Sequence, residues 1–266
     1  MTTRVAAIQM VSTPDVAENI ATARRLVGEA ADRGAQLVLL PEYWPLLGQQ
    51  DTDKLHIAEA FGHGPIQHAM QALAQQHALW LVGGTLPLQS NTADKVFNST
   101  LVYNPQGDTV ARYDKMHLFG FDNGVECYDE ARTLEHGSAP VTFDSPLGRT
   151  GLSVCYDLRF PELYRAMGHC ALLLVPAAFT HTTGQAHWDI LLRARAIENQ
   201  CYVLAAAQGG LHRNGRRTWG HSMLIDPWGE VIACLPSGEG VVSGNIDNAR
   251  LQHVRQQLPA LTHRRL

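Results

Sequence analysis

Residues 151–179 read GLSVCYDLRFPELYRAMGHCALLLVPAAF, a stretch that changes character several times in one pass. Residues 150–155 are apolar and strand-like, 161–167 form a short helix opened by Pro161, and 171–175 are an apolar run of buried-strand length. Upstream, a strand at 5–10 precedes a helix capped by Asp15, whose Ile20, Ala23, Leu26, Val27 and Ala30 share one face before Gly34 stops it. Strands at 36–40 and 79–82 flank a helix at 65–77, and strands at 96–103 and 109–113 form a hairpin around Asn104-Pro105-Gln106-Gly107. Residues 114–138 have little periodicity and read as one long loop, which in a compact domain is usually functional or disordered. Downstream come a helix at 185–199, strands at 202–207, 221–225, 231–234 and 240–246, and a polar helical tail. Strands and helices taking turns predict an α/β layered fold, and the lack of a Pro/Gly/Ser linker predicts one domain over residues 1–266.

The composition narrows the classes of function. The 266 residues are 45% hydrophobic and 17% charged, which supplies a large core and excludes disorder or a collagen-like repeat. With 21 Lys+Arg against 25 Asp+Glu, the net charge of -4 gives no electrostatic reason for a nucleic-acid or anionic-membrane partner, so a small ligand is expected. The longest apolar run, 170–179, is half of the roughly 20 residues that cross a bilayer, and the N-terminus lacks a signal-peptide pattern, which points to a cytoplasmic protein. Five cysteines without a C-x-x-C pair read as reduced thiols, and thirteen scattered histidines without ligand spacing predict no metal.

Three reactive groups stand at strand ends or just beyond a strand: Glu42, Lys115 and Cys155. A thiol attacks only as thiolate and needs a base or a cation beside it. Glu42 is the candidate base, and Lys115 the candidate cation facing a developing oxyanion. Taken singly each has a plainer reading: inert core for Cys155, a solvated loop acid for Glu42, half of a surface pair with Asp114 for Lys115.

The strings around these residues change the balance. LVLLPEYW around Glu42, ARYDKMHLF around Lys115 and GLSVCYDLRFPELYR around Cys155, followed by HWDILLRARAIENQCYV, resemble the nitrilase superfamily of carbon-nitrogen hydrolases over nearly the whole chain. The resemblance implies a four-layer αββα sandwich, a Glu-Lys-Cys triad and no cofactor. It also implies a second glutamate after the lysine, which DEARTLEHG aligns with Glu130, with Glu126 as the neighbouring alternative. Tyr156 would offer its backbone N–H to the oxyanion. Asp157, Glu162 and a buried Arg159 with acidic partners would fix the turn behind Cys155, Arg193, Arg195 and Glu198 would brace the sheet or a dimer seam, and His187 and Trp188 would pack.

The expected chemistry is hydrolysis of a small carboxamide to acid and ammonia through a thioester. Within the superfamily, CYDLRFPELYR, the HWDILLRARAIENQCY helix and the ending RQQLPALTHRR are most similar to the branch of deaminated-glutathione amidases and omega-amidases. An anionic amide substrate calls for cationic or hydroxyl groups besides Lys115, and Tyr43, residues 117–129, Thr180 and His181 are the candidates. The resemblance also implies a homodimer, with the C-terminal tail a candidate to cross to the partner. Nitrile or N-carbamoyl substrates stay open within the same chemistry. A thiol-transfer enzyme is disfavoured by the missing C-x-x-C, and a non-catalytic interaction module by the presence of all three reactive residues.

Overall fold

The computed structural model describes residues 2–265. Its first sheet is built from β1 (Thr2–Gln9), β2 (Leu37–Leu39), β3 (Trp80–Val82), β4 (Leu86–Gln89), β5 (Val96–Tyr103) and β6 (Thr109–Asp114). A hairpin of β7 (Gly120–Asp122) and β8 (Cys127–Asp129) follows, then β9 (Leu134–Glu135) on the edge of β5. The second sheet takes β10 (Val141–Ser145), β11 (Gly148–Leu152), β12 (Leu172–Ala177), β13 (Tyr202–Ala207), β14 (Ser222–Ile225) and β15 (Val231–Leu235), while β16 (Gly240–Asp247) returns to pair antiparallel with β1. The central strands β1-β2-β3 and β11-β12-β13 are parallel, as strands joined through helices must be.

Helices α1 (Val16–Asp32), the short α2 (Asp53–His56) and α3 (Pro65–His77) belong to the first half, and α4 (Pro161–Ala166), α5 (His181–Asn199) and α6 (Asn248–Gln257) to the second. Alternation along β1 assigns its faces: Ala6 and Ile8 pack with Ala23, Leu26 and Val27 of α1 and Met70 of α3, while Val5 and Ala7 join the core shared with β12 and β13. On the far side Trp188, Leu192 and Ala196 of α5 are buried in that same core. The result is helix, sheet, sheet, helix, as the resemblance implied. No helix among the described residues is long and apolar enough to cross a membrane.

The departures from the sequence reading are local. Residues 114–138 hold the β7–β8 hairpin, a 3-10 turn at Glu130–Arg132 and β9 in place of one long loop. Strands β4 and β10 and helix α2 are additional. Helix α6 packs on its own chain: Leu251 and Val254 are buried, and Arg255 donates to the carbonyls of Gln200 and Cys170.

Candidate active site

Chain direction carries Glu42, Lys115 and Cys155 to one end of the two sheets, where each sits one to three residues past a strand end. After β11, Ser153 and Val154 continue extended, and then Cys155 adopts φ +50° and opens a 3-10 turn over Cys155–Arg159. That left-handed conformation costs a non-glycine residue about 1–2 kcal/mol, and it turns the thiol out of the sheet into a cleft. The turn is held by Asp157, whose carboxylate accepts from the Val154 N–H (2.8 Å), the Tyr113 hydroxyl (2.7 Å) and the His117 N–H (3.0 Å).

Glu42 is 1% exposed. Its Oε1 accepts from Lys115 Nζ (2.8 Å) and Asn98 Nδ2 (3.0 Å), and its Oε2 accepts from the Ala178 N–H (2.8 Å). A carboxylate has about four acceptor directions, so one is left for a further proton. Lys115 is fully buried, and its ammonium also donates to both oxygens of Glu130 (2.7 and 3.0 Å). Glu130 in turn accepts from the Tyr43 hydroxyl (2.8 Å) and the Phe119 N–H (2.7 Å). Glu126 lies apart from Lys115, taking a hydrogen bond from Thr182 (2.7 Å).

The electrostatics follow from this packing. Burial opposes the charge on Lys115, yet Glu130 and Glu42 outweigh it and push its pKa up, so the group is an ammonium. Burial likewise opposes ionisation of Glu130, and Lys115 reverses it, holding the carboxyl low. Burial and then the Glu42 carboxylate push the Cys155 thiol well up, with Lys115 only partly countering them. Cys155 is therefore a thiol beside a carboxylate, and a thiol in that setting attacks only if its proton is transferred at the moment of reaction.

Cys155, Tyr156, Arg159, Thr180, Thr183 and Phe179 line a narrow cleft of about 10 Å³ together with Glu42 and Glu130. Past Phe119, Glu130 and Arg216 it meets an outer chamber of about 310 Å³ walled by Tyr43, Leu47, Lys54, Tyr128 and Asn214.

Several sequence expectations need correction. Arg159 is half-buried and lines the cleft, its guanidinium 5.4 Å from the Phe179 ring centroid and 5.7 Å from that of Tyr156. Its polar neighbour is His187 Nδ1 (3.3 Å), and among the described residues no carboxylate pairs with it. The brace expected of it is Arg195 on α5: buried, paired with Glu198, donating to the Leu158 carbonyl (3.2 Å) and lying over the Tyr164 ring. In the sequence, a charge at the end of the turn could not be distinguished from one that packs on it from a later helix. Thr180 lines the cleft and caps α5 through the Thr183 N–H (3.3 Å). His181, one residue on, falls on the other side of the helix start, against Trp219 in a separate cavity. Tyr43 stands in the chamber wall rather than in the cleft. Asn98, Lys54 and Arg216 went unnoticed. Asn98 had a signal, since an asparagine within the apolar strand VFNSTLVY must find a partner when buried; Arg216, in a turn rich in arginine, had none.

Residues 4–256 match the family model described as carbon-nitrogen hydrolase. A deaminated glutathione amidase from Yersinia enterocolitica is 40% identical over 268 residues, spanning 98% of this chain and 92% of its own. The human omega-amidase NIT2 is 36% identical over 270 residues, with 98% and 95% covered. Among solved structures, the C. elegans NitFhit protein superposes with a TM-score of 0.91 at 37% identity over 99% of this chain, which spans 65% of that protein.

Proposed function

The chain belongs to the carbon-nitrogen hydrolase family, and on that ground we propose that it is a cysteine-dependent amidase acting on deaminated glutathione, with Glu42, Lys115, Cys155 and Glu130 as its catalytic residues. The observation that supports this most is the buried array in which one ammonium, Lys115, bridges Glu42 and Glu130 beside the Cys155 thiol. Similarity to curated deaminated glutathione amidases supports the choice of substrate.

Glu42 takes the thiol proton through its remaining acceptor direction as Sγ attacks the amide carbon. The tetrahedral oxyanion is met by the Lys115 ammonium and the Tyr156 N–H. Glu42 then returns the proton to the departing nitrogen, and a thioester stays on Cys155. Glu42 next activates water, and hydrolysis releases the acid. Glu130 keeps Lys115 charged and in place; Asp157 fixes the turn that aims the thiol. The Arg159 guanidinium, which pairs with no carboxylate among the described residues, lines the cleft and binds a carboxylate of the acyl half.

The departing amine depends on the substrate. The scissile amide of deaminated glutathione joins a 2-oxo acid to cysteinylglycine, so that dipeptide leaves. Ammonia leaves from a primary carboxamide such as 2-oxoglutaramate, the second reading, which the likeness to omega-amidase NIT2 favours. Release of 2-oxoglutarate from both compounds, by wild type and Cys155→Ser, separates the two. Higher kcat/KM on deaminated glutathione, lost in the variant, supports the first reading; the reverse preference transfers the assignment; turnover of neither by the wild type overturns both.

The same reading includes a cytoplasmic setting, supported by five unpaired cysteines, and a homodimer. Support for the dimer is a run of exposed apolar side chains: Ile190 and Ile197 on α5, and Trp228, Val231 and Ile232 around the turn whose Gly229 abuts Ile197.

A further inference from the structure

The outer chamber is not needed to explain hydrolysis, yet it is built. The cleft beside Cys155, at about 10 Å³, is narrow. The chamber beyond it, about 310 Å³, reaches the size of small-molecule sites. A peptide-sized amine half has room there and not in the cleft.

Its chemistry is specific. Lys54 reaches in from α2, its Nζ 5.4 Å from the Tyr43 ring centroid and donating to Thr133 Oγ1 at 3.2 Å. Arg216 stands at the boundary of cleft and chamber, with its guanidinium 5.2 Å from the Tyr128 ring centroid and one nitrogen on the Ala178 carbonyl (3.3 Å). Among the described residues neither cation forms a salt bridge, and the Arg216 Nε is buried without any hydrogen-bond partner. Burial, Arg216 and Lys115 lower the Lys54 pKa, with Glu130 and Asp51 opposing them, which marks a cation short of compensating charge. The chamber's own free carboxylates, Asp51 and Asp129, lie exposed at its rim, where solvent screens them, and Glu130 is committed to Lys115.

We propose that this chamber seats the amine half of the substrate, and that Lys54 and Arg216 recognise a free carboxylate carried by that half. The inference rests on the amidase reading and extends it. Arg159 belongs to the cleft alone, Lys54 to the chamber alone, and Arg216 to both. A substrate anionic at both ends, with its amide between them, matches that order. The enzyme thus selects peptide-like amides ending in a carboxylate over simple carboxamides.

The test compares deaminated glutathione with its C-terminal carboxamide, which differs only in that charge. The wild type is expected to favour the acid in kcat/KM by at least about tenfold, the effect of a desolvated charged hydrogen bond. Lys54→Met should bring the ratio close to one, and Lys54→Glu should invert it; the ratio is read within each variant, so a general loss of activity does not disturb it. A wild-type ratio near one, or a ratio unchanged in Lys54→Met, overturns the subsite while leaving the amidase reading intact. Turnover of 2-oxoglutaramate but of neither peptide overturns the choice of substrate and the subsite together.

Discussion

Lys115 is the residue on which the ion network of the site depends, and in the proposed mechanism the chemistry depends on it too. Replacing it with Met leaves the Glu42 and Glu130 carboxylates buried together with no counter-charge, at a cost of about 3–5 kcal/mol. Chemical denaturation should show that loss, and turnover should vanish; a variant as stable as wild type would contradict the ion network described. His212 gives a separate, pH-dependent signature. Its buried ring lies 2.9 Å from the Ser12 carbonyl and 2.8 Å from Thr218 Oγ1, and burial holds its pKa down to about 4 from 6.5. Between those values the unfolded chain binds more protons than the native one, so stability is present above pH 6.5 and falls as the pH falls. From pH 7 to 5 the loss due to this group is about 2 kcal/mol. Urea midpoints at the two pH values should show it in wild type and show a correspondingly smaller change in His212→Gln; equal slopes would contradict the assignment. At this scale the sequence offered Glu42, Lys115 and Cys155 as candidates because each sits within a short string at or just past a strand end, whereas Glu130, within a segment read as one long loop, came only from the resemblance. It could not disclose Arg159 as a cleft residue or Lys54 and Arg216 as chamber residues, because their positions are set by tertiary packing of loops.

Among the elements, the connection from β3 to β4 sets the position of Glu42. Gly84 has φ +51°, and a Cβ there would fall 2.0 Å from the Pro41 carbonyl oxygen, directly before Glu42. Gly84→Ala is expected to lose at least about 1 kcal/mol and to lower kcat by displacing the base. A variant with wild-type melting temperature and kcat would show that the loop yields without moving Glu42. The strong periodic elements were legible: residues 65–77 and 96–103 match α3 and β5, since proline, a helical apolar stripe and β-branched runs agree there. The 114–138 segment was not, because its strands are two or three residues long and are fixed by one another and by the edge of β5 rather than by pattern.

For the whole molecule, the layered order came from the resemblance of three strings, whereas the alternation of elements alone indicated only an α/β class. The proposed dimer belongs to this scale. Trp228 is 50% and Ile190 67% exposed, and light scattering of the wild type should give twice the chain mass, falling to one chain mass in Trp228→Glu. A wild type that remains monomeric at micromolar concentration would contradict it. The central claim, that a thiol aimed by the turn at Cys155 carries the acyl group, is met most directly by intact-mass and peptide-level spectrometry after rapid acid quench of the enzyme with deaminated glutathione. The account predicts a 2-oxoglutaryl adduct on the Cys155 peptide, absent in Cys155→Ala. Steady release of cysteinylglycine with no adduct at Cys155, or unimpaired turnover by the variant, would contradict it.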